Sequence, residues 1–116
     1  WLYMKYSDDD GKTWSDPILL NGMVKPEDSR VLVTGPGRGM QIKNGEHKGR
    51  LIIPVYDTAR SGIIYSDDHG ETWQYAKGPA TGKAAMSESQ IVEMPDGTLP
   101  RFLPPPSTQC SGIPPT

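Results

Sequence analysis

The stretch "YSDDDGKTW" (Tyr6–Trp14) returns as "YSDDHGETW" (Tyr65–Trp73), displaced by 59 residues. Three aspartates ahead of a glycine invite a calcium-loop reading. An EF-hand loop takes oxygen ligands at positions 1, 3 and 5, glycine at 6 and glutamate at 12. With Gly11 in sixth place, Tyr6 falls first and Pro17 twelfth. With Gly70 there, Tyr65 falls first, His69 fifth and Ala76 twelfth. Neither copy supplies the ligands, and both flanks alternate like strands. No metal site is expected.

The positions that recur explain the motif better. Ser7, Asp9, Gly11, Thr13 and Trp14 reappear as Ser66, Asp68, Gly70, Thr72 and Trp73, a pattern S-x-D-x-G-x-T-W. A serine and an aspartate two apart can accept hydrogen bonds from the amides of their own turn. The glycine admits the positive φ that a tight hairpin demands. The tryptophan offers a large apolar body to pack between neighbouring sheets. Each copy therefore reads as a hairpin staple whose carboxylates are structural.

Working outward, the chain shows short β-like runs punctuated by Gly, Pro and Asp, without long helical periodicity. "LYMKYS" (2–7) alternates; "RVLVTG" (30–35) and "GMQIK" (39–43) follow. "RLIIPVYD" (50–57) is a continuous apolar run, as expected of a strand buried on both faces. Pro54 inside it argues for an edge position or a bulge. "SGIIYS" (61–66) and "SESQIVEM" (87–94) complete the set, and Asp96-Gly97 supplies a hairpin turn. Self-similarity at a period of 59 residues, with four strands per period, predicts an all-β chain of four-stranded antiparallel blades.

Composition narrows the function. The 116 residues carry 12 basic and 14 acidic side chains for a net charge of −2. No basic block stands out, so no nucleic-acid partner is expected. The longest apolar runs fall far short of the roughly 18 residues of a membrane span. Cys110 alone excludes an internal disulfide framework. The chain opens mid-strand at Trp1 without a signal peptide and reads as an internal fragment. Six of the 12 prolines lie in the last 17 residues. That density opposes a packed strand or helix, so residues 100–116 are expected to be disordered or frame-shifted.

The repeated pattern is the Asp-box, and two copies in this setting resemble the bacterial-type sialidases (neuraminidases). The resemblance covers about Trp1 to Leu99. It is sharpened by "TGPGRGMQIKNGEHKGRLIIPVY" (34–56) and by "SESQIVEMPDGTL" (87–99), which looks like the strand bearing the family's catalytic glutamate. It implies a six-bladed β-propeller of which about two blades are present, in residues 1–99. It also implies exo-sialidase activity on sialylated glycans, no cofactor, and an extracellular or cell-surface setting. A trans-sialidase, or a non-catalytic Asp-box propeller binding glycan or protein, remains open.

Sialidases use a tyrosine nucleophile. A phenol with a pKa near 10 needs a neighbouring base to withdraw its proton. The resemblance gives that role to Glu88, which on chemistry alone would pass for a solvated glutamate at a strand end. Tyr56 matches a tyrosine lining the substrate pocket, although a strand tyrosine also serves as core or interface filler. "GPGRG" (35–39) fails as a phosphate loop because no helix pattern follows and the spacing is not G-x-G-x-x-G, and "GPATGKA" (78–84) misses a Walker loop by one spacer residue and an absent Ser/Thr. The glycines are expected to allow close backbone packing near the propeller axis. Arg38 is not placed among the family's three carboxylate-gripping arginines. His47 and His69 show no metal-ligand company. The first arginine and the acid/base aspartate would precede Trp1, and the third arginine and the nucleophile would follow residue 116. The second arginine is expected in a phrase like Phe-x-Arg-Gly, but Leu103 and Pro104 follow Phe102 and Arg101 is out of register. The fragment alone is expected to be inactive.

Overall fold

The computed structural model describes residues 1–29, 31–35, 38–57, 61–77 and 89–102, the side chains of 101 and 102 excepted. Its elements are β1 (Tyr3–Met4), β2 (Ile18–Leu19), α1 (Asn21–Val24), β3 (Val33–Thr34), β4 (Met40–Gln41), β5 (Leu51–Tyr56), β6 (Ser61–Ser66), β7 (Gln74–Lys77), β8 (Gln90–Ile91) and β9 (Arg101–Phe102). All strand pairs are antiparallel. They form three sheets: β1 with β2, a central sheet in which β3 and β4 both flank β5 and are followed by β6 and β7, and β8 with β9.

β3 and β4 are two pieces of one interrupted strand. Both lie on the side of β5 away from β6, because β6 pairs with β5 along its whole length, from Leu51↔Ser66 to Tyr56↔Ser61. Between Thr34↔Val55 and Met40↔Ile52 the interrupted strand takes six steps where β5 takes three. The excursion faces Pro54. The Gly35 amide donates to the Pro54 carbonyl at 3.1 Å, and in an antiparallel ladder a residue's nitrogen and carbonyl point to the same side. The nitrogen that lacks a hydrogen therefore meets the gap, not a ladder partner. Pro54 thus sits in a central strand of unbroken register with β6, and the irregularity expected of it is carried by its neighbour.

With that interruption recognised, the central sheet is one complete four-stranded blade. Its β6–β7 hairpin carries the second Asp-box. The same motif joins β1 to β2, which makes that pair the outer half of a preceding blade. The β8–β9 pair is an inner half. Met40↔Ile52 and Gln41↔Leu51 become Gln90↔Phe102 and Ile91↔Arg101 when 50 is added to every position. The strands of two blades are thus distributed over three. Pairing also runs to Phe102, three residues past Leu99, so Arg101 and Phe102 of the stretch 100–116 expected to be disordered are in a strand; residues 103–116 of that tail lie outside the described residues.

The central blade separates two cores. Val55, Ile64 and Trp73 are buried with Leu20, Val24 and Leu32, and Met4 and Ile18 of the first sheet pack against them. On the other face Ile52 is buried with Ile42 and Ile91, against Ile63 and Tyr65. Successive residues of β5 alternate between the cores, which is why "LIIPVY" is apolar throughout. The Asp96-Gly97 turn forms as expected. Gly97, at φ +84°, donates to the Met94 carbonyl at 2.9 Å, and Asp96 accepts from the Thr98 amide and hydroxyl at 3.0 and 2.7 Å.

Candidate active site

Strand register sets up two ends. The second Asp-box joins Ser66 to Gln74 at one end of β6 and β7, whereas Tyr56 pairs with Ser61 at the other. The length of β6 separates them by about 17 Å. Tyr56 is half-buried and also lies opposite Val33. Beside it Asp57 is 3% and Ser61 1% exposed, so this end of the blade buries polar side chains.

Glu88 lies outside the described residues. Ser89, next in the chain, is buried beside Gly35, where a Cβ on the glycine would come within 3.0 Å of the Ser89 carbonyl. Gly35 is tied to Pro54, so Ser89, just ahead of β8, lies beside β5 two residues short of Tyr56. Gly39 is as constrained: a Cβ there would lie 2.6 Å from the Ile52 carbonyl. The described glycines of "GPGRG", Gly35 and Gly39, serve close backbone packing, as expected.

Between the innermost strands of adjacent blades runs a cleft of about 490 Å³, lined by Arg38, Met40, Lys43, Gln90 and Glu93 among others. Gln90 spans it, its Nε2 donating to the Arg38 carbonyl at 3.0 Å. The Glu93 carboxylate accepts from the Lys43 and Asn44 amides at 2.8 and 3.0 Å and so caps the β4–β5 turn from the next blade. Sequence reasoning assigned Glu93 nothing. The bond joins residues about fifty apart, and no local pattern announces it.

At the opposite end the two Asp-boxes repeat bond for bond. The Ser7 hydroxyl donates to Asp9 Oδ1 at 2.8 Å and accepts from the Gly11 amide at 2.8 Å. Asp9 accepts from the Thr13 amide at 2.8 Å and hydroxyl at 2.6 Å, and Trp14 Nε1 donates to the Gly11 carbonyl at 3.1 Å. Ser66, Asp68, Gly70, Thr72 and Trp73 make the same set, the Thr72 hydroxyl donating to Asp68 Oδ2. The hydroxyl and amide of Thr13, with the Ser7 hydroxyl, hold the Asp9 carboxyl down to about 2. Thr72 and Ser66 hold Asp68 at about 2 in the same way.

The residue before each glycine also has positive φ, 59° at both Asp10 and His69. Asp and His tolerate that region better than most side chains, which accounts for the third aspartate of the opening stretch. The aspartate between serine and box aspartate does something further in the second copy. Asp67 forms a two-pronged ion pair with Arg50, at 2.7 and 2.9 Å, which holds its carboxyl below the ordinary range. The Arg50 guanidinium lies 4.4 Å from the centre of the Tyr65 ring. His47 and His69 line one rim cleft with this pair. Among the described residues no three His, Cys, Asp or Glu side chains gather as a metal ion would require. None of the helices described is long and apolar enough to cross a membrane.

Antiparallel blades stacked face to face and stapled by Asp-boxes at one end are a portion of a β-propeller. The chain belongs to the BNR repeat-like domain family, which it matches over residues 1–99. It is 49% identical to an anhydrosialidase of Macrobdella decora, over 89% of this chain and 14% of that protein. It is 37% identical to a sialidase of Bacteroides fragilis, over 84% of this chain and 18% of that protein. Among solved structures it superposes on the intramolecular trans-sialidase of Ruminococcus gnavus in complex with oseltamivir carboxylate, with a TM-score of 0.78 and 55% identity, covering 87% of this chain and 21% of that one. The chain therefore spans less than a quarter of each of these relatives.

Proposed function

We propose that the chain is part of an exo-α-sialidase, an extracellular or cell-surface enzyme that releases terminal sialic acids from glycoproteins, glycolipids and oligosaccharides. The observation that carries the reading is the high identity to sialidases over nearly all of the chain, through the "SESQIVEM" segment. In this reading the Glu88 carboxylate takes the phenolic proton of a tyrosine supplied by a later blade. The phenolate oxygen attacks the anomeric carbon while an acid/base aspartate of the parent enzyme protonates the departing aglycone oxygen, and a glycosyl–tyrosine bond replaces the glycosidic one. Water then gives a proton to that aspartate as its oxygen displaces the tyrosine with overall retention of configuration, and Glu88 returns the phenolic proton. Tyr56 lines the sugar pocket. Its place on β5, two residues beyond the Pro54 that bonds Gly35, against which Ser89, the residue after Glu88, packs, supports that assignment.

A second reading shares every one of these steps except the last acceptor. Identity is 49% to the leech anhydrosialidase and 55% to the R. gnavus intramolecular trans-sialidase, against 37% to the B. fragilis sialidase. If the last acceptor is a hydroxyl of the sugar itself, the product is an anhydro sugar and no water is consumed. Mass analysis of the product from a sialyl-oligosaccharide decides: free sialic acid supports hydrolysis, and a product lighter by one water supports the internal transfer. For the base, Glu88→Gln in the parent enzyme is expected to lower kcat by about 10² to 10⁴ with KM little changed. A kcat near that of the wild type would remove Glu88 from the mechanism.

A further inference from the structure

Two contacts cross from the central blade to the segment that opens β8, and both fall on the residues directly after Glu88. At one end of the excursion between β3 and β4, the Gly35 amide is tied to the Pro54 carbonyl at 3.1 Å. Ser89, 5% exposed, lies so close to that glycine that a Cβ there would stand 3.0 Å from the Ser89 carbonyl and 3.5 Å from its nitrogen. Gly35 is outside the left-handed region, so the Ser89 backbone, not φ, demands a glycine there. At the other end the Arg38 carbonyl accepts from Gln90 Nε2 at 3.0 Å. Arg38 precedes Gly39, which is itself pressed against the Ile52 carbonyl. Both ends of the excursion are thus fixed on β5, and each holds one residue of the next blade.

This arrangement joins two chains that carry the proposed site residues. β5 ends at Tyr56. Ser89 shares a peptide bond with Glu88, which keeps the two Cα atoms about 3.8 Å apart. A displacement of Ser89 therefore moves the point from which Glu88 starts. A third contact in the same cleft lies elsewhere. The Glu93 carboxylate holds the Lys43 and Asn44 amides beyond Gln41, which pairs with Leu51 at the Asp-box end of the blade.

We propose that Gly35 and Gln90 are positioning residues for the base. They set where the Glu88 carboxylate stands relative to the tyrosine whose proton it takes, and they do not touch the substrate. The inference rests on the reading of Glu88 as that base. Proton transfer needs its heavy atoms within about 2.6–3.2 Å of each other. A small shift of the base therefore costs rate without costing substrate binding.

The test is steady-state kinetics of the parent enzyme on an aryl sialoside, well below the melting temperature, with circular dichroism showing that each variant is folded. Gln90→Met keeps the length of the side chain and removes the donor. Gly35→Ala pushes on the Ser89 carbonyl. Each is expected to lower kcat by about tenfold or more while KM stays within about twofold. If Gly35→Ala does not fold, Gln90→Met, a change at a half-buried side chain, decides alone. Glu93→Ala cuts the contact at the Asp-box end, and is expected to lower the melting temperature and leave kcat unchanged. Equal kcat losses in Gln90→Met and Glu93→Ala would mean that the contacts only dock the blades, and would overturn the proposal. So would a raised KM with unchanged kcat in Gln90→Met, which would make Gln90 a substrate contact. Glu88→Gln measured alongside separates the two claims. A steep loss there beside a wild-type kcat in Gln90→Met leaves the base in place and removes its positioning. A Glu88→Gln enzyme that turns over like the wild type overturns both.

Discussion

The two Asp-boxes have the same hydrogen bonds, the same positive φ values and the same depressed aspartates, yet one tryptophan is buried and the other is not. The turn is a local object. Ser, Asp, Gly and Thr satisfy one another within seven residues, and no neighbour is needed for that geometry to form. Burial of the tryptophan is a different matter, because it requires a second sheet in the right place. Trp73 has β1 and β2 against it, whereas no described sheet lies against Trp14.

The largest effect should come from cutting each tryptophan in turn. Trp73→Ala opens a cavity in the shared core and is expected to cost about 3–5 kcal/mol, enough to unfold much of the population. Trp14→Ala is expected to cost under about 1 kcal/mol, as a surface change does. Equal losses in denaturant titrations would mean that the two tryptophans are packed alike.

A smaller effect tests the part the boxes share. Gly11 at φ +83° and Gly70 at φ +90° each sit where a Cβ is disfavoured, although nothing crowds the site closer than 3.6 Å. Gly11→Ala and Gly70→Ala should therefore both destabilise through the backbone, by about 1 kcal/mol or somewhat more. Thermal melts that separate the two variants widely would show that the turns are not independent of their surroundings.

Acid should loosen both turns together. The Asp9 and Asp68 carboxyls titrate at about 2 in the fold, below the usual 3.8. A depressed folded value means that the contribution is fully present above about pH 4 and is lost as pH falls through 2. Exchange rates of the Thr13 and Thr72 amides, which donate to those carboxylates, should rise in parallel across that window. Protection that is independent of pH there would contradict the bonding.

The smallest difference concerns Asp67, whose ion pair with Arg50 is partly exposed. Asp67→Asn is expected to lower stability only slightly, and less in high salt. Asp8, its counterpart in the first box, has no such bond among those described. Asp8→Asn should be nearly silent in the same melt.

Much of the fold could be read from residues alone, where the controlling interactions are short-range in sequence. The strand at 61–66, the turn at Asp96-Gly97 and the bonds from the turn amides to the serine and aspartate of each Asp-box follow from alternation, positive-φ residues and side chains that reach their own turn. The calcium reading failed on residues alone too, since the ligand positions are not filled; Asp9 and Asp68 instead accept from the amides of their own turns. Pro54 marked an irregularity correctly but not its owner. A proline shows that a donor is missing, not which neighbouring strand has moved away. The candidate site was legible only through resemblance, because a lone Glu88 or Tyr56 carries no signature of its surroundings.

What the sequence determined by itself is the blade as a unit: antiparallel strands, a stapled outer hairpin and a central strand apolar on both faces. Those features depend on backbone geometry and on contacts within a few residues, so any occurrence of the motif reproduces them. Tertiary structure decided which sheet lies against which, so that Trp73 is buried under Met4 and Ile18. It also placed Glu93 on the turn of the neighbouring blade and Ser89 against Gly35. Those outcomes depend on which sheet lies against which, and side chains fifty positions apart carry no record of that until the chain has folded.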